Sequence, residues 1–223
     1  MGRKLDETFR DAMLNRFLQV VDRFYRDPDR IRERALEMPY SEPEDLVGLR
    51  TPAYQPRGIR ALIERKFRIQ IKYWEEDLTA IEACNGVFLS TFAKGPRAER
   101  VGVHFDDPPS WMMLLIYLTP DAPYSAGTSL WQHRQTGLIA KPTKRNAEKL
   151  GIGVWELEEL LDDDSWKRKC WIEIDRVGNV YNRAVMFPGG FLHSATRHFG
   201  NNRHNGRLYQ SFHFPIQSTV KNR

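Results

Sequence analysis

The hydrophobic residues in the first third of the chain have the spacing of helices. From Leu5 to Tyr25 apolar positions recur every three or four residues, which predicts an amphipathic helix, although Leu18 to Phe24 could instead form a strand. Asp27 directly before a proline is a typical helix start. Two further helices are predicted, at Pro28 to Glu37 and at Gly58 to Phe67, with a polar, proline-containing loop between them.

Beyond residue 85 the pattern changes to short runs of β-branched and aromatic residues separated by turn-forming residues. The predicted strands are Val87 to Phe92, Arg100 to His104, Trp111 to Thr119, Thr128 to Gln132, Trp171 to Asp175, Ala184 to Pro188 and Arg207 to Phe214. Short strands with turns between them predict an antiparallel sandwich or barrel. The charged segment from Thr143 to Lys169 is compatible with helix, and we interpret it as an insertion between two strands.

Length and composition favour one soluble domain. A chain of 223 residues can bury a full-sized core. It has no apolar run near the ~18 residues of a membrane span and no hydrophobic amino-terminal stretch, so we expect a cytoplasmic protein without a membrane partner. Cys84 and Cys170 fit no metal or disulfide spacing, which favours reduced thiols. The net charge of +5 is mostly interspersed, so nucleic acid is not an expected partner.

The candidate chemistry begins at His104, which has a carboxylate two residues further on, at Asp106. In an extended segment, residues two apart project from the same face, so both side chains could bind one ion. Iron(II) in oxygenases is held by two imidazoles and one carboxylate, with the remaining positions open. A second histidine would complete that set.

His193 is the best candidate for this further ligand. It follows the predicted strand Ala184 to Pro188 and the turn Gly189-Gly190, whose glycines allow the backbone to re-aim the side chain. The competing histidines are His133, His198, His204 and His213. A His-x-Asp pair is also common in loops where the histidine is simply hydrogen-bonded, so its context decides its meaning.

Four segments in order carry a resemblance over about half the chain, from Asn85 to Phe214. They are HFDDP at 104–108 with the strand MMLLIYLTP at 112–120, AGTSLWQH at 126–133, VMFPGGFLHSATR at 185–197, and NGRLYQSFHF at 205–214. They resemble four segments of the 2-oxoglutarate and iron(II) dependent oxygenases. The first resembles the family's His-x-Asp pair and its following strand, and the second resembles the Gly-Gly-x-Leu/Phe strand, with Ala126 in place of one glycine. The third resembles the strand and turn that deliver the distal histidine, and the fourth resembles the last core strand. The resemblance is closer to the prolyl-hydroxylase-like branch and related small bacterial members.

The resemblance implies an α+β, mainly β fold. Its core would be a double-stranded β-helix, the cupin-like jelly roll, within a single domain spanning 1–223. Residues 1–84 would form a helical support region, and residues 85–216 would form the core, with the helical insertion at about 141–170. His104, Asp106 and His193 would then be the iron(II) ligands.

The resemblance also implies residues for the co-substrate, 2-oxoglutarate. Arg207 would pair with its far carboxylate, a task that suits the bidentate guanidinium of arginine. Arg203 has the spacing from the distal histidine that some family members use, but Arg207 opens the strand directly. The Tyr117 hydroxyl would reach the same carboxylate, or else bond to backbone in the core. Tyr209 and Ser211 alternate with Arg207 and could line the same pocket.

The implied activity is that of a dioxygenase. It would use dioxygen to hydroxylate an unactivated C–H bond of a small metabolite, amino acid or peptide. Two alternatives stay open: a cupin-like metalloenzyme that does not use 2-oxoglutarate, and a jelly-roll binding module without catalysis. The sequence carries no motif that identifies the substrate.

Overall fold

The computed structural model describes residues 18–42, 48–78 and 85–217, and they form two facing antiparallel sheets. The larger sheet has the strand order β1-β7-β4-β9-β3-β2, and the smaller has the order β6-β5-β8. The strands are β1 (Gln19–Val21), β2 (Leu49–Arg50), β3 (Val87–Thr91), β4 (Met112–Tyr117), β5 (Thr128–His133), β6 (Trp171–Val177), β7 (Ala184–Pro188), β8 (His193–Ala195) and β9 (Arg207–Phe214). The fold is therefore α+β, mainly β, with a jelly-roll core.

Four α-helices surround the sheets in the part of the chain that the structure describes. They are α1 (Pro28–Glu37), α2 (Ile59–Phe67), α3 (Lys144–Leu150) and α4 (Val154–Asp164), and a 3-10 turn follows at Arg168–Cys170. Helix α1 begins where predicted because Asp27 caps it, its side chain accepting a hydrogen bond from the Arg30 amide. Among the described residues, no helix is long and apolar enough to cross a membrane.

The core lies in three layers. The largest layer packs the outer face of the six-stranded sheet, including Leu114 and Phe212, against α1 and α2. A second layer between the two sheets contains Leu115 and Phe187. A third lies between the smaller sheet and the helical insertion, where Leu161 of α4 belongs to the cluster. Strand β4 is apolar on both faces because it is covered on both sides.

The amino-terminal region supplies edge strands as well as helices. Strand β1 pairs with β7, and β2 pairs with β3 at the opposite edge of the larger sheet. Strand β1 agrees with the strand alternative for Leu18 to Phe24, while the start of the predicted helix, residues 5–17, lies outside the described residues.

The strand predicted at Arg100 to His104 is wrong. In this segment the Val103 amide donates to Ser165 of the insertion instead of to a strand, and only His104 forms a β-bridge, to His193. Strands β2 and β8 were not predicted, since runs of two and three residues show no periodicity.

Candidate metal centre and its cavity

His104, Asp106 and His193 form a cluster that could hold a metal ion. Each offers one ligand atom, and these atoms lie within 4.8 Å of one another. The Asp106 carboxylate stands between the two rings, with Oδ1 3.9 Å from His104 Nε2 and Oδ2 3.3 Å from His193 Nε2. The structure thus brings together the three residues that the sequence singled out as candidate ligands.

Backbone pairing sets these positions. His104 and His193 exchange backbone hydrogen bonds of 3.0 and 2.8 Å, and the Asp106 amide donates to the Gly189 carbonyl at 2.8 Å. The loop that carries the His-x-Asp pair is therefore held against the turn that precedes β8. Gly190 is needed here because a Cβ atom at this position would lie 2.6 Å from Pro109 Cβ.

Both imidazole rings are oriented for metal binding. His104 Nδ1 lies 3.1 Å from the Gly102 carbonyl, and His193 Nδ1 lies 2.7 Å from the Phe191 carbonyl. A carbonyl oxygen can only accept, so each Nδ1 carries the hydrogen, and in the neutral ring each Nε2 presents a lone pair towards Asp106. Metal-binding histidines commonly have such a partner on the other ring nitrogen.

The electrostatics keep the carboxylate ionised. Burial by itself would raise the pKa of Asp106, but the charge of His193, with further contributions from His104 and His213, outweighs burial and lowers the pKa to about 2. Burial would likewise lower the pKa of His193, and Asp106 reverses this and raises it. Asp106 Oδ2 is buried and accepts no hydrogen bond. A cation bound between this oxygen and His193 Nε2, which lies 3.3 Å away, would satisfy the anionic charge of Asp106.

The cluster opens into a cavity of about 280 Å³ between the sheets. Arg207 lines the same cavity and is 3% exposed. Its Nη2 donates to Thr128 Oγ1 at 3.3 Å, its Nε is buried without a hydrogen-bond partner, and no carboxylate among the described residues pairs with it. Tyr209 stacks beside it, with the guanidinium carbon 4.3 Å from the ring centroid.

Tyr117 does not line the cavity but contacts a residue that does. Its hydroxyl is 2.6 Å from Thr128 Oγ1, and Thr128, unlike Tyr117, lines the cavity. Burial raises the pKa of Tyr117, so its hydroxyl stays protonated. The Tyr117 hydroxyl is therefore hydrogen-bonded to a side chain and not to the backbone, which was the alternative interpretation of the sequence.

The other polar candidates lie elsewhere. Arg203 packs on the ring of Tyr40, with the guanidinium carbon 4.9 Å from the centroid, and does not line the cavity. His133, one of the competing histidines, is fully buried against Asp164 and does not belong to the metal cluster.

Sequence reasoning found some of the other cavity residues and missed the rest. Tyr209 and Ser211 line the cavity, as their alternation with Arg207 suggested, and His213 continues the same alternation. Thr128 lies in the segment AGTSLWQH at 126–133, but no feature of the sequence distinguished it as a cavity residue. Arg50 also lines the cavity, and nothing in its local sequence indicated that.

Fold and site together define a jelly-roll protein with a candidate metal centre in a cavity between the two sheets. The chain belongs to a family described as a family of unknown function, DUF6445, whose model matches residues 12–213. None of the proteins with curated descriptions matches the sequence.

Solved structures share the fold. One is the non-heme alpha ketoglutarate dependent epimerase SnoN from nogalamycin biosynthesis, at 13% identity and a TM-score of 0.53, covering 94% of this chain and 83% of that chain. Another is HygX from Streptomyces hygroscopicus with iron bound, at 12% identity and a TM-score of 0.50, covering 96% and 88%. These likenesses show the jelly-roll fold.

Proposed function

We propose that this protein is a non-haem iron(II) and 2-oxoglutarate dependent dioxygenase that hydroxylates an unactivated C–H bond of a small metabolite, amino acid or peptide. One observation supports this above the others: a single cavity contains both a cluster of two imidazoles and one carboxylate and a buried arginine, Arg207, without a carboxylate partner among the described residues. SnoN, of the same fold, is described as alpha ketoglutarate dependent, and HygX has been solved with iron.

The residues present fit iron(II). Two imidazoles and one carboxylate are the donor set of non-haem iron oxygenases. The Nε2 atoms of His104 and His193 are fixed towards the site by hydrogen bonds on Nδ1, and the buried Oδ2 of Asp106 lies 3.3 Å from His193 Nε2. An arginine deeper in the same cavity fits a co-substrate with a carboxylate at each end.

Iron(II) and 2-oxoglutarate, when bound, would couple oxidative decarboxylation of the co-substrate to oxidation of a substrate C–H bond. The protein would supply position and environment. His104, Asp106 and His193 would hold the ion at the wall of the cavity. Arg207 would bind the distal carboxylate of 2-oxoglutarate through two parallel N–H donors. The apolar side chains of Val87, Leu89 and Leu115 in the cavity wall would exclude water.

The direction of Arg207 would be set by its neighbours. The Thr128 hydroxyl accepts a hydrogen bond from Arg207 Nη2, and the same hydroxyl is hydrogen-bonded to the Tyr117 hydroxyl. We therefore propose Tyr117 as a residue that positions the co-substrate arginine through Thr128.

An anaerobic titration with iron(II) and 2-oxoglutarate tests the proposal through the weak visible charge-transfer absorption that the bound pair would give. We expect the band in the wild type and its loss or alteration in Asp106→Ala. Arg207→Ala should need about a hundred-fold more 2-oxoglutarate, since it loses a charge-assisted pair. Arg203→Ala, the matched control, should behave as the wild type. Absence of the band in folded, iron-loaded wild type would overturn the co-substrate assignment and favour a cupin-like metalloenzyme or a non-catalytic module.

A further inference from the structure

A second arginine, Arg50, lines the cavity together with Arg207 and the three candidate ligands. It is the last residue of the short strand β2 and is partly buried. Its Nε atom is buried without a hydrogen-bond partner. Within residues 18–42, 48–78 and 85–217, no carboxylate forms an ion pair with its guanidinium.

The sheet register explains how Arg50 reaches the cavity. Arg50 pairs with Leu89 of β3, and Leu89 pairs in turn with Tyr209 of β9. Directly paired residues of antiparallel strands project from the same face, so Arg50 projects from the face that carries Leu89 and Tyr209, which also line the cavity. Two strand spacings, about 10 Å, separate the backbones of β2 and β9. The two arginines therefore enter the cavity from different strands and can serve different ligands.

Among the residues that the structure describes, the charges of the cavity leave Arg50 without a counter-ion. Two carboxylates line the cavity within the described part of the chain, and one of them, Asp107, is already bound by Lys141, with both oxygens 2.8 Å from Nζ. Asp106 would be taken by the metal ion, and Arg207 by the far end of 2-oxoglutarate. The buried Nε–H of Arg50 is unfavourable without an acceptor, and a bound anion would supply one.

We propose that Arg50 binds an anionic group of the substrate, either a carboxylate or a phosphate. The substrate class is therefore a small anionic molecule. This rests on the proposed function, which assigns Arg207 to the co-substrate. The cavity volume of about 280 Å³ lies just below the roughly 300–1,000 Å³ of small-molecule pockets, which favours a small ligand. Guanidinium forms bidentate pairs with carboxylate and with phosphate alike.

Calorimetric titration with simple anions tests this without knowledge of the substrate. The protein is first loaded with manganese(II) and 2-oxoglutarate, so that Arg207 is occupied and no turnover follows. It is then titrated with acetate, with sulfate as a phosphate mimic, and with neutral acetamide. We expect acetate or sulfate to bind saturably and acetamide not to bind. Arg50→Gln should weaken the anion about ten-fold or more, and Arg50→Lys should weaken it less, since a charge remains.

Arg57→Gln is the matched control, because Arg57 is exposed in the same region and does not line the cavity. Acetate binding in preference to sulfate would indicate a carboxylate substrate, and the reverse a phosphate. The proposal is overturned if neither anion binds, if Arg50→Gln binds as the wild type does, or if Arg57→Gln loses as much. It is also overturned if Arg50→Gln weakens 2-oxoglutarate as strongly as Arg207→Gln does, since Arg50 would then be a co-substrate residue.

A second comparison separates this inference from the proposed function. Anion binding is measured without metal or co-substrate in Arg207→Gln and in the double variant Arg50→Gln/Arg207→Gln. A difference between the two reports on Arg50 alone and is expected even if the wild type fails to bind 2-oxoglutarate. Failure to bind 2-oxoglutarate would remove the proposed function, whereas the absence of this difference would remove the role of Arg50.

Discussion

His104 and His193 pair with each other through their backbones, and their rings lie side by side with centroids 4.4 Å apart. The two histidines are 89 positions apart in the chain, but one antiparallel bridge fixes their separation. Because the hydrogen bonds of this bridge use only main-chain atoms, they do not depend on either imidazole.

The first prediction follows from this bridge. His104→Ala and His193→Ala should each lower iron(II) affinity by more than the 10- to 100-fold that is typical for loss of an outer partner of a metal ligand. The metal-free proteins should stay folded, because the bridge persists. Metal content after dialysis, together with the thermal midpoint of the metal-free protein, checks both parts. His204→Ala, at an exposed position, should bind iron as the wild type does.

The two glycines of the turn before β8 should respond differently to alanine. A Cβ atom at Gly190 would lie 2.7 Å from the Pro109 carbonyl oxygen, so Gly190→Ala must displace backbone and should lower the free energy of unfolding by about 1–3 kcal/mol. A Cβ atom at Gly189 would lie 3.2 Å from Asp106 Cβ and from His213 Nε2. Gly189→Ala should therefore affect iron affinity more than stability. Urea unfolding and iron titration of both variants measure the contrast, and equal effects on both quantities would contradict it.

Thr128 should link Tyr117 to co-substrate binding. Thr128→Val removes the acceptor of the Arg207 Nη2 hydrogen bond, so the 2-oxoglutarate dissociation constant should rise about ten-fold. It also leaves the buried Tyr117 hydroxyl without its partner, which should cost about 1–3 kcal/mol of stability. The double variant Tyr117→Phe/Thr128→Val should recover part of the stability but not the affinity, as measured by a double-mutant cycle of unfolding and 2-oxoglutarate titration. Wild-type affinity in Thr128→Val would refute the link.

Asp164 should anchor the helical insertion independently of the metal centre. Its carboxylate lies 2.9 Å from Lys167 Nζ and 3.1 Å from Nε2 of the buried His133 on β5. Asp164→Asn should lower the free energy of unfolding by about 1–3 kcal/mol and leave iron binding unchanged. Asp163→Asn, at the exposed neighbouring position, should have little effect on either.

The same residue predicts a pH dependence. The hydrogen bond with Lys167 lowers the pKa of Asp164 from 3.8 to about 2, with a smaller contribution from His133. A carboxylate whose pKa is lower in the folded state than in the unfolded state stabilises the fold at pH values above its unfolded-state pKa. This stabilisation is lost as the pH falls towards the folded-state pKa. The stability difference between wild type and Asp164→Asn should therefore shrink between about pH 5 and about pH 3. A constant difference over this range would show that the carboxylate charge is not the cause.

Local pattern was sufficient where an element is long or its boundary is marked by side-chain chemistry. Helix α1 has the predicted ends because its capping residue and its proline lie next to it in the chain. Strands β7 and β9 also have the predicted ends, since their burial depends on runs long enough to show in the sequence. The strand predicted at Arg100 to His104 failed because its backbone partner is a residue of the insertion, which periodicity cannot indicate.

The sequence by itself determined the mainly β class of the fold, the helical character of the segment between β5 and β6, and the His104 and Asp106 pair, because each depends on residues within a few positions of one another. The tertiary structure decided which distant groups share a cavity: that His193 completes the cluster, that Arg207 lines the cavity while Arg203 packs on Tyr40, and that Arg50 joins them from the sheet edge. The physical reason is that strand pairing brings together residues far apart in the chain, and register and sheet face depend on the partner strand as much as on the local sequence.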